Sequence, residues 1–135
     1  MRIDNKWLDL FTATAYAHLT TLMPDGRPQA TPVWISLADD DEGGHYLVVN
    51  SRQGRVKNRN VARDPRVAVS IQDPNKPYRY VSVMGSVVRI TTEGGAESIE
   101  ALSRRYLDRP YPWWRPGEVR EIFFIQPHRV FGDDF

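Results

Sequence analysis

The chain has 135 residues, of which 18 are basic and 17 acidic, so its formal net charge is only +1. A near-neutral total excludes a protein that binds nucleic acid by neutralising many phosphates, but it leaves room for one compact anion site. Six basic residues and one acidic residue fall between Arg52 and Arg66, a local net charge of +5. The absence of cysteine excludes disulfides, thiolate metal sites and cysteine nucleophiles.

A chain of this length is expected to form one domain over residues 1–135 and to have a core that needs no disulfides. It contains no run of about 18 apolar residues, and its first seven residues show no apolar signal-peptide core. We therefore expect a cytoplasmic protein that binds neither membrane nor nucleic acid.

The first half of the chain is predicted to consist mainly of strands. Runs rich in strand-forming residues at 15–22 and 29–37 flank the turn sequence Pro24-Asp25-Gly26, which predicts a hairpin. An acidic turn at 39–44 precedes a third strand at 45–50.

The second half combines strands with two helical segments. Residues 54–64 are predicted to form a short helix, because a proline follows them and Ser51 lies upstream as a candidate N-terminal cap. Clear strands follow at 67–71 and 81–90. Apolar residues recur at steps of three and four within 93–107, as in an amphipathic helix.

The last predicted elements are an aromatic loop at 111–117 and a strand at 119–125. Strands dominate, connections are short, and helices do not alternate with strands. The sequence therefore predicts a mainly β protein (α+β), an antiparallel sheet or barrel with a short helix after the third strand and a longer helix near the C-terminus.

Several common kinds of active site are missing. His18, His45 and His128 are far apart and form no metal-binding motif, and no metal site is expected. The sequence has no GxSxG, GxxxxGK[ST] or GxGxxG motif, which disfavours serine hydrolases, P-loop NTPases and dinucleotide-binding dehydrogenases. The acidic residues at 39–42 are interpreted as a solvated turn.

The segment 49–66 is the strongest candidate for a binding site. It combines a strand end, Gly54 and a helix start that carries Arg55 and Lys57. Backbone N–H groups at a helix start and cationic side chains both suit a phosphate. The alternative is a basic helix face that is merely solvated.

Several segments of the chain follow one another in an order typical of a known family. They are Leu19-Thr-Thr-Leu22, Pro24 to Gln29, Pro32-Val33-Trp34, Arg55-x-Lys57-x-x-Asn60, Asp64-Pro65-Arg66 and residues 81–87 around Gly85. Together they resemble the pyridoxamine 5′-phosphate oxidase-like split β-barrel superfamily. Within it, the chain is most similar to the short deazaflavin-dependent reductases that use coenzyme F420.

That resemblance implies a homodimer of split barrels with a cofactor at the interface and a small-molecule substrate. The implied cofactor-binding residues are Arg55 and Lys57 at the phosphate, Asn60 in the same segment, Val49, Asn50 and Ser51 along the ring, and Pro32, Val33 and Trp34 bordering it. The implied substrate pocket includes Tyr78, Tyr80, Trp113 and Trp114, which could instead pack in the barrel core or at the dimer contact.

By the same resemblance, the protein would transfer a hydride between reduced F420 and a small unsaturated or quinone-like substrate. Two alternatives stay open: an FMN-binding oxidoreductase of the same fold, and a non-catalytic flavin- or haem-binding protein. The Trp-, Arg- and His-rich C-terminal segment of true pyridoxamine phosphate oxidases has no clear counterpart, which disfavours vitamin B6 oxidation. No catalytic residue is assigned, although Tyr78, Tyr80 and His128 are candidate proton donors.

Overall fold

Seven strands and three α-helices make up the described part of the chain, residues 1–134 of the computed structural model. The strands are β1 Ala17–Leu22, β2 Pro28–Val33, β3 Ser36–Asp39, β4 His45–Arg52, β5 Arg66–Gln72, β6 Tyr80–Thr91 and β7 Arg120–Asp133. The helices are α1 Leu8–Thr12, α2 Val56–Arg63 and α3 Gly95–Leu107, with a 3-10 turn at Asn5–Trp7 before α1.

The strands form one antiparallel sheet in the order β2-β1-β5-β6-β7-β4-β3. Its two edge strands, β2 and β3, are separated in the chain only by Trp34 and Ile35. Successive Cα atoms are about 3.8 Å apart, so Val33 and Ser36 lie within about 11 Å of each other. The sheet must therefore curl until its edges nearly meet, and the prediction of a mainly β split barrel is confirmed.

The core lies inside this curl. In β5, Val67, Val69 and Ile71 are buried while the residues between them are more exposed, the alternation expected of a strand with one face on the core. Similar alternation in β1 and β6 supplies the other walls. Because β-branched side chains pack well on a pleated surface, the valine-rich segments favour strands.

The N-terminal segment also belongs to the core, although no element was predicted there. Trp7 and Phe11 are almost fully buried in the same apolar cluster. Arg79 holds the segment in place through ion pairs with Asp9 and Asp73 at 2.8 and 2.9 Å. Its guanidinium is nearly buried, so it pins the N-terminal helices to the start of β6.

The strand predicted at 29–37 is in fact two strands. β2 pairs with β1, whereas β3 pairs with β4 on the opposite edge of the sheet. Both pieces have β-forming composition, so local propensity alone did not reveal the change of partner between them.

Two further predictions about elements need correction. The last strand does not end at 125 but continues to Asp133, because the twelve-residue β6 offers it a partner along its whole length. A register shift accommodates Pro127, which has no N–H to donate. The proposed cap is also wrong: Ser51 lies within β4, and Arg55 occupies the position before α2.

Within residues 1–134, no helix is both long and apolar enough to cross a membrane. The same residues contain no cluster of three or more histidine, aspartate or glutamate side chains suited to a metal ion.

Candidate functional site

A cavity of about 230 Å³ opens where the two sheet edges approach each other. The residues that link β2 to β3, the start of α2, one side of α3 and the start of β7 surround it. Seven residues predicted for the site line this cavity, namely Pro32, Val33, Trp34, Asn50, Arg55, Lys57 and Trp113. Four lining residues were not predicted, namely Tyr16, Ile99, Tyr111 and Arg120.

Lys57 is the buried cation of the cavity. It lies in the first turn of α2 with only 8% of its surface exposed. Within residues 1–134 its amine forms no ion pair, and its one hydrogen bond is donated to Thr31 Oγ1 at 3.3 Å. Burial, together with the weaker effect of the neighbouring charges of Arg55 and Arg120, lowers the pKa of Lys57 to about 8. A buried amine without a carboxylate partner is a favourable place for an anionic ligand.

Two asparagines that follow Lys57 in α2 fix the helix that carries it. Asn58 accepts a hydrogen bond from Ser51 Oγ at 2.7 Å and donates one to Glu121 Oε1 at 2.7 Å. Asn60 donates to Thr21 Oγ1 at 3.0 Å, which ties the helix to β1. These bonds give α2 one orientation relative to the sheet.

Ser51, Asn60 and Val49 were predicted to contact the cofactor, but none of them lines the cavity of the single chain. Val49 is fully buried in the core, and Ser51 and Asn60 are used in the bonds that anchor α2. Along β4 successive side chains point to opposite faces, so Asn50 lines the cavity while its two neighbours face away.

Arg120 is a second buried cation at the cavity, with 7% of its surface exposed. Its Nε donates to Asn50 Oδ1 at 2.8 Å, and one terminal nitrogen pairs with the buried Glu118 carboxylate at 3.0 Å. Asn50 in turn donates to Gly95 O at 2.9 Å. Asn50 therefore orients the Arg120 guanidinium through its carbonyl oxygen, while one of its two amide N–H groups is bonded to Gly95.

Arg55 adds a third positive charge at the mouth of the cavity. Partial burial lowers the pKa of its guanidinium, with further lowering by the charges of Arg52 and Arg120. In the described part of the chain no side chain caps the start of α2, so its first amide groups stay available to an anion. Cationic side chains and helix amides thus converge on one region.

Aromatic rings form another part of the cavity wall. The Trp34 ring stacks on Tyr106, with centroids 5.2 Å apart and planes 7° apart. Tyr111 and Trp113 approach the Trp34 ring with centroids at 6.5 Å. Tyr106 is itself fixed, because its hydroxyl donates to Ala15 O at 2.7 Å. Such a wall suits a flat conjugated ring.

A shallow basic groove leads out of the cavity. We define it by Arg52, Arg55 and Arg115, which are flanked by Trp113 and Trp114. Within residues 1–134 none of these three guanidinium groups forms an ion pair. The groove shares Arg55 and Trp113 with the cavity, so one ligand can occupy both.

The other arginines of the basic segment already have partners within the protein. Arg59 donates to Gly54 O and Arg63 donates to Leu22 O. Arg66 pairs with Asp64 at 2.8 Å. They therefore stabilise α2 and the turn after it and lie outside the groove.

The candidate substrate residues Tyr78 and Tyr80 do not line the cavity. Tyr78 is 78% exposed in the turn after β5, and Tyr80 begins β6 opposite Asp133. His128, a candidate proton donor, lies within 3.1 Å of Ser86 Oγ, away from the cavity. The structure brings Trp113 to the cavity and Trp114 to the groove.

A family model described as Pyridoxamine 5′-phosphate oxidase matches residues 3–132. A solved structure described as an F420 reductase is 31% identical, with a TM-score of 0.79 over 96% of this chain and 98% of its own. A conserved hypothetical protein from Mycobacterium tuberculosis is 20% identical over 99% of this chain and 86% of its own, with a TM-score of 0.73. HupZ from Group A Streptococcus is 18% identical over 96% of this chain and 93% of its own, with a TM-score of 0.66. The latter two share the fold. Comparison with curated proteins gives no match.

Proposed function

Because the chain belongs to the pyridoxamine 5′-phosphate oxidase family, we propose that it uses reduced coenzyme F420 to reduce a small unsaturated or quinone-like molecule. Family membership and the similarity to an F420 reductase support the broader statement that it is a flavin- or deazaflavin-binding oxidoreductase. The preference for F420 over FMN rests on the distribution of positive charge around the cavity.

The observation that carries this preference is the presence of two separate cationic regions. Lys57 and Arg120 lie inside the cavity, whereas Arg52 and Arg115 lie in the basic groove outside it. FMN carries one phosphate, which the first region satisfies. F420 carries a phosphate and an acidic tail, and its carboxylates give the second region a partner. Guanidinium groups suit such carboxylates because they donate two parallel hydrogen bonds.

The residues present fit such a cofactor. Lys57 and Arg55 would hold the phosphate, and Trp34 would border the ring. When bound, the cofactor supplies the hydride. The chain itself supplies anion binding, stacking surfaces and exclusion of water from the apolar side of the cavity, which Val33 and Ile99 form.

The same proposal includes a homodimer. The cavity of about 230 Å³ in one chain is smaller than the roughly 300–1,000 Å³ typical of ligand pockets, and a second chain would enclose the ring more fully. Large apolar side chains also remain exposed on β6 and β7, among them Met84, Val88 and Phe131. A second copy would cover such side chains. The cysteine-free composition suits the reducing cytoplasm, where we place the protein.

Titration of the purified protein with F420 and with FMN tests the proposal directly. Lys57→Ala should weaken the binding of both, by about 1.5–3 kcal/mol for a lost charge-assisted hydrogen bond. Arg115→Ala should weaken F420 binding and leave FMN binding unchanged. Arg66→Ala is the matched control, because it removes an exposed arginine that is already paired with Asp64.

Failure to bind F420 at micromolar protein, together with tight FMN binding, would replace the proposal with the FMN-dependent alternative. Equal effects of Arg115→Ala on both cofactors would remove the argument from the basic groove. Sedimentation of the cofactor-bound protein as a monomer would contradict the homodimer.

A further inference from the structure

The segment 108–119, here called the aromatic loop, joins α3 to β7 and has no regular secondary structure. It contains prolines at 110, 112 and 116 and exposes the rings of Trp113 and Trp114. Among the described residues, its backbone-to-backbone hydrogen bonds lie near its ends: Asp108 N donates to Arg104 O, Glu118 N donates to Arg115 O, and Val119 O accepts from Gln53 N. Side-chain contacts must therefore hold its middle against the body of the protein.

Glu100, in the middle of α3, makes two of these contacts. Its Oε1 accepts a hydrogen bond from the Trp114 indole Nε1 at 2.8 Å, and its Oε2 accepts one from the Tyr111 backbone N at 3.1 Å. These two bonds lower the pKa of Glu100, so the side chain is an acceptor-only carboxylate at neutral pH. One carboxylate thus fixes both ends of the stretch 111–114.

The position of this stretch decides the shape of the cavity. Tyr111 packs edge-on against Trp34, Trp113 and Trp114, with centroids between 5.3 and 6.5 Å away. The Arg120 guanidinium lies 5.3 Å from the centre of the Tyr111 ring. If Tyr111 were displaced, the cavity would lose part of its aromatic lining and the Arg120 guanidinium would be uncovered.

We infer that Glu100 is a positioning residue that holds the aromatic loop as a substrate-selecting wall, and that this wall favours flat aromatic acceptors over small aliphatic ones. The inference rests on the proposed function for the identity of the second ligand. Glu100 itself does not line the cavity and acts through Tyr111 and Trp114.

Three variants separate this role from a general effect on folding. Glu100→Ala removes both hydrogen bonds, Glu100→Gln keeps one acceptor oxygen, and Trp114→Phe removes only the indole N–H donor. Glu97→Gln is the matched control, because Glu97 is an exposed carboxylate one turn earlier on α3.

The first measurement needs no turnover. Tyr111 lies between two prolines, which have no amide hydrogen, so its own amide reports on this part of the loop. Exchange of this amide, followed by NMR, should become about tenfold faster in Glu100→Ala and less so in Glu100→Gln. Unchanged exchange in Glu100→Ala would overturn the positioning role.

The second measurement uses 1,4-naphthoquinone and cyclohex-2-enone as acceptors. In Glu100→Ala and Trp114→Phe, the Kd and KM for naphthoquinone should rise about fivefold to twentyfold, with an intermediate rise in Glu100→Gln. Values for cyclohexenone, measured at saturating cofactor, should stay within twofold. Equal changes for both acceptors, or none, would contradict the selecting wall.

The two proposals fail in different ways. If the wild-type protein reduces neither acceptor with F420 or FMN, the proposed oxidoreductase function fails. Tyr111 exchange and the naphthoquinone Kd, measured by tryptophan quenching, still decide whether Glu100 positions the wall.

Discussion

Raising the pH from 7 to 9 should weaken cofactor binding through the loss of one proton from Lys57. The pKa of its amine is lowered to about 8 by burial, so the free protein holds this proton at pH 7 and has largely lost it at pH 9. The protonated fraction falls from about 90% to about 10%, a ninefold to tenfold loss. If only the charged amine attracts the phosphate, affinity falls by about the same factor, or about 1.4 kcal/mol.

The calculation assumes that the bound anion raises the pKa of Lys57 well above 9. That is expected because an opposite charge in contact with the amine favours its charged form. The phosphate cannot cause the loss: a phosphodiester is fully ionised throughout the range, and a phosphomonoester, with a second pKa of about 6, only gains negative charge between pH 7 and 9. The predicted loss therefore belongs to Lys57.

Fluorescence titration with F420 at pH 7, 8 and 9 and constant ionic strength measures the effect. Comparison with Lys57→Ala at each pH cancels any ionisation of the cofactor ring. The ratio of the two affinities should shrink about tenfold between pH 7 and 9. In Lys57→Arg, which keeps its charge, the dependence should disappear. A wild-type protein and a Lys57→Ala variant with parallel pH profiles would refute the reasoning.

Three further predictions concern the stability of the fold around the cavity. The folded-state pKa of Lys57 lies below its unfolded value of 10.5, so the native state holds fewer protons between about pH 8 and 10.5. Stability of the cofactor-free protein, measured by urea unfolding, should therefore rise with pH across that window by up to about 3 kcal/mol more than in Lys57→Met. Gly95→Ala should lower the free energy of unfolding by about 1–3 kcal/mol, because overpacking strains the fold. The added Cβ would lie 2.3 Å from Arg120 O, and thermal denaturation would detect the loss. Arg120→Met should destabilise the fold by about 3–5 kcal/mol in urea unfolding, since it leaves a buried charge unpaired. That charge is the carboxylate of Glu118, whose side chain has no exposed surface. An unchanged unfolding midpoint would contradict the burial of the Glu118 carboxylate.

Features encoded within a short stretch of sequence were predictable. The valine-rich strands at 67–71 and 81–90 and the period of α3 depend on neighbouring residues, and the structure has elements there. The basic helix start with Arg55 and Lys57 was also visible, because both residues lie within one turn of α2. Those residues already indicated a phosphate, and the family resemblance added the expectation of a flavin or deazaflavin cofactor.

Features that depend on contacts between separate segments of the chain were not predictable. Arg120 reaches the cavity because β7 pairs with β4, and nothing in the sequence near residue 120 reveals that register. Tyr111 was included only in a general aromatic loop, and its contact with Glu100 on α3 spans 11 residues. Val49 and Ser51 do not line the cavity of the single chain, because alternate residues of a strand face opposite sides and the sequence does not show which side faces the cavity.

The contrast between two buried cations supports the assignment of the site. Arg79 and Lys57 have the same small exposed fraction, 8% each. Arg79 is surrounded by carboxylates, and its hydrogen bonds with Asp9 and Asp73 raise its pKa. Among residues 1–134, Lys57 has only a hydroxyl partner, and burial lowers its pKa. A buried charge that the fold neutralises has a structural role, whereas one that the fold leaves uncompensated destabilises the protein until an anion binds. The cost of burying Lys57 therefore favours our proposal that it binds the anionic part of a ligand.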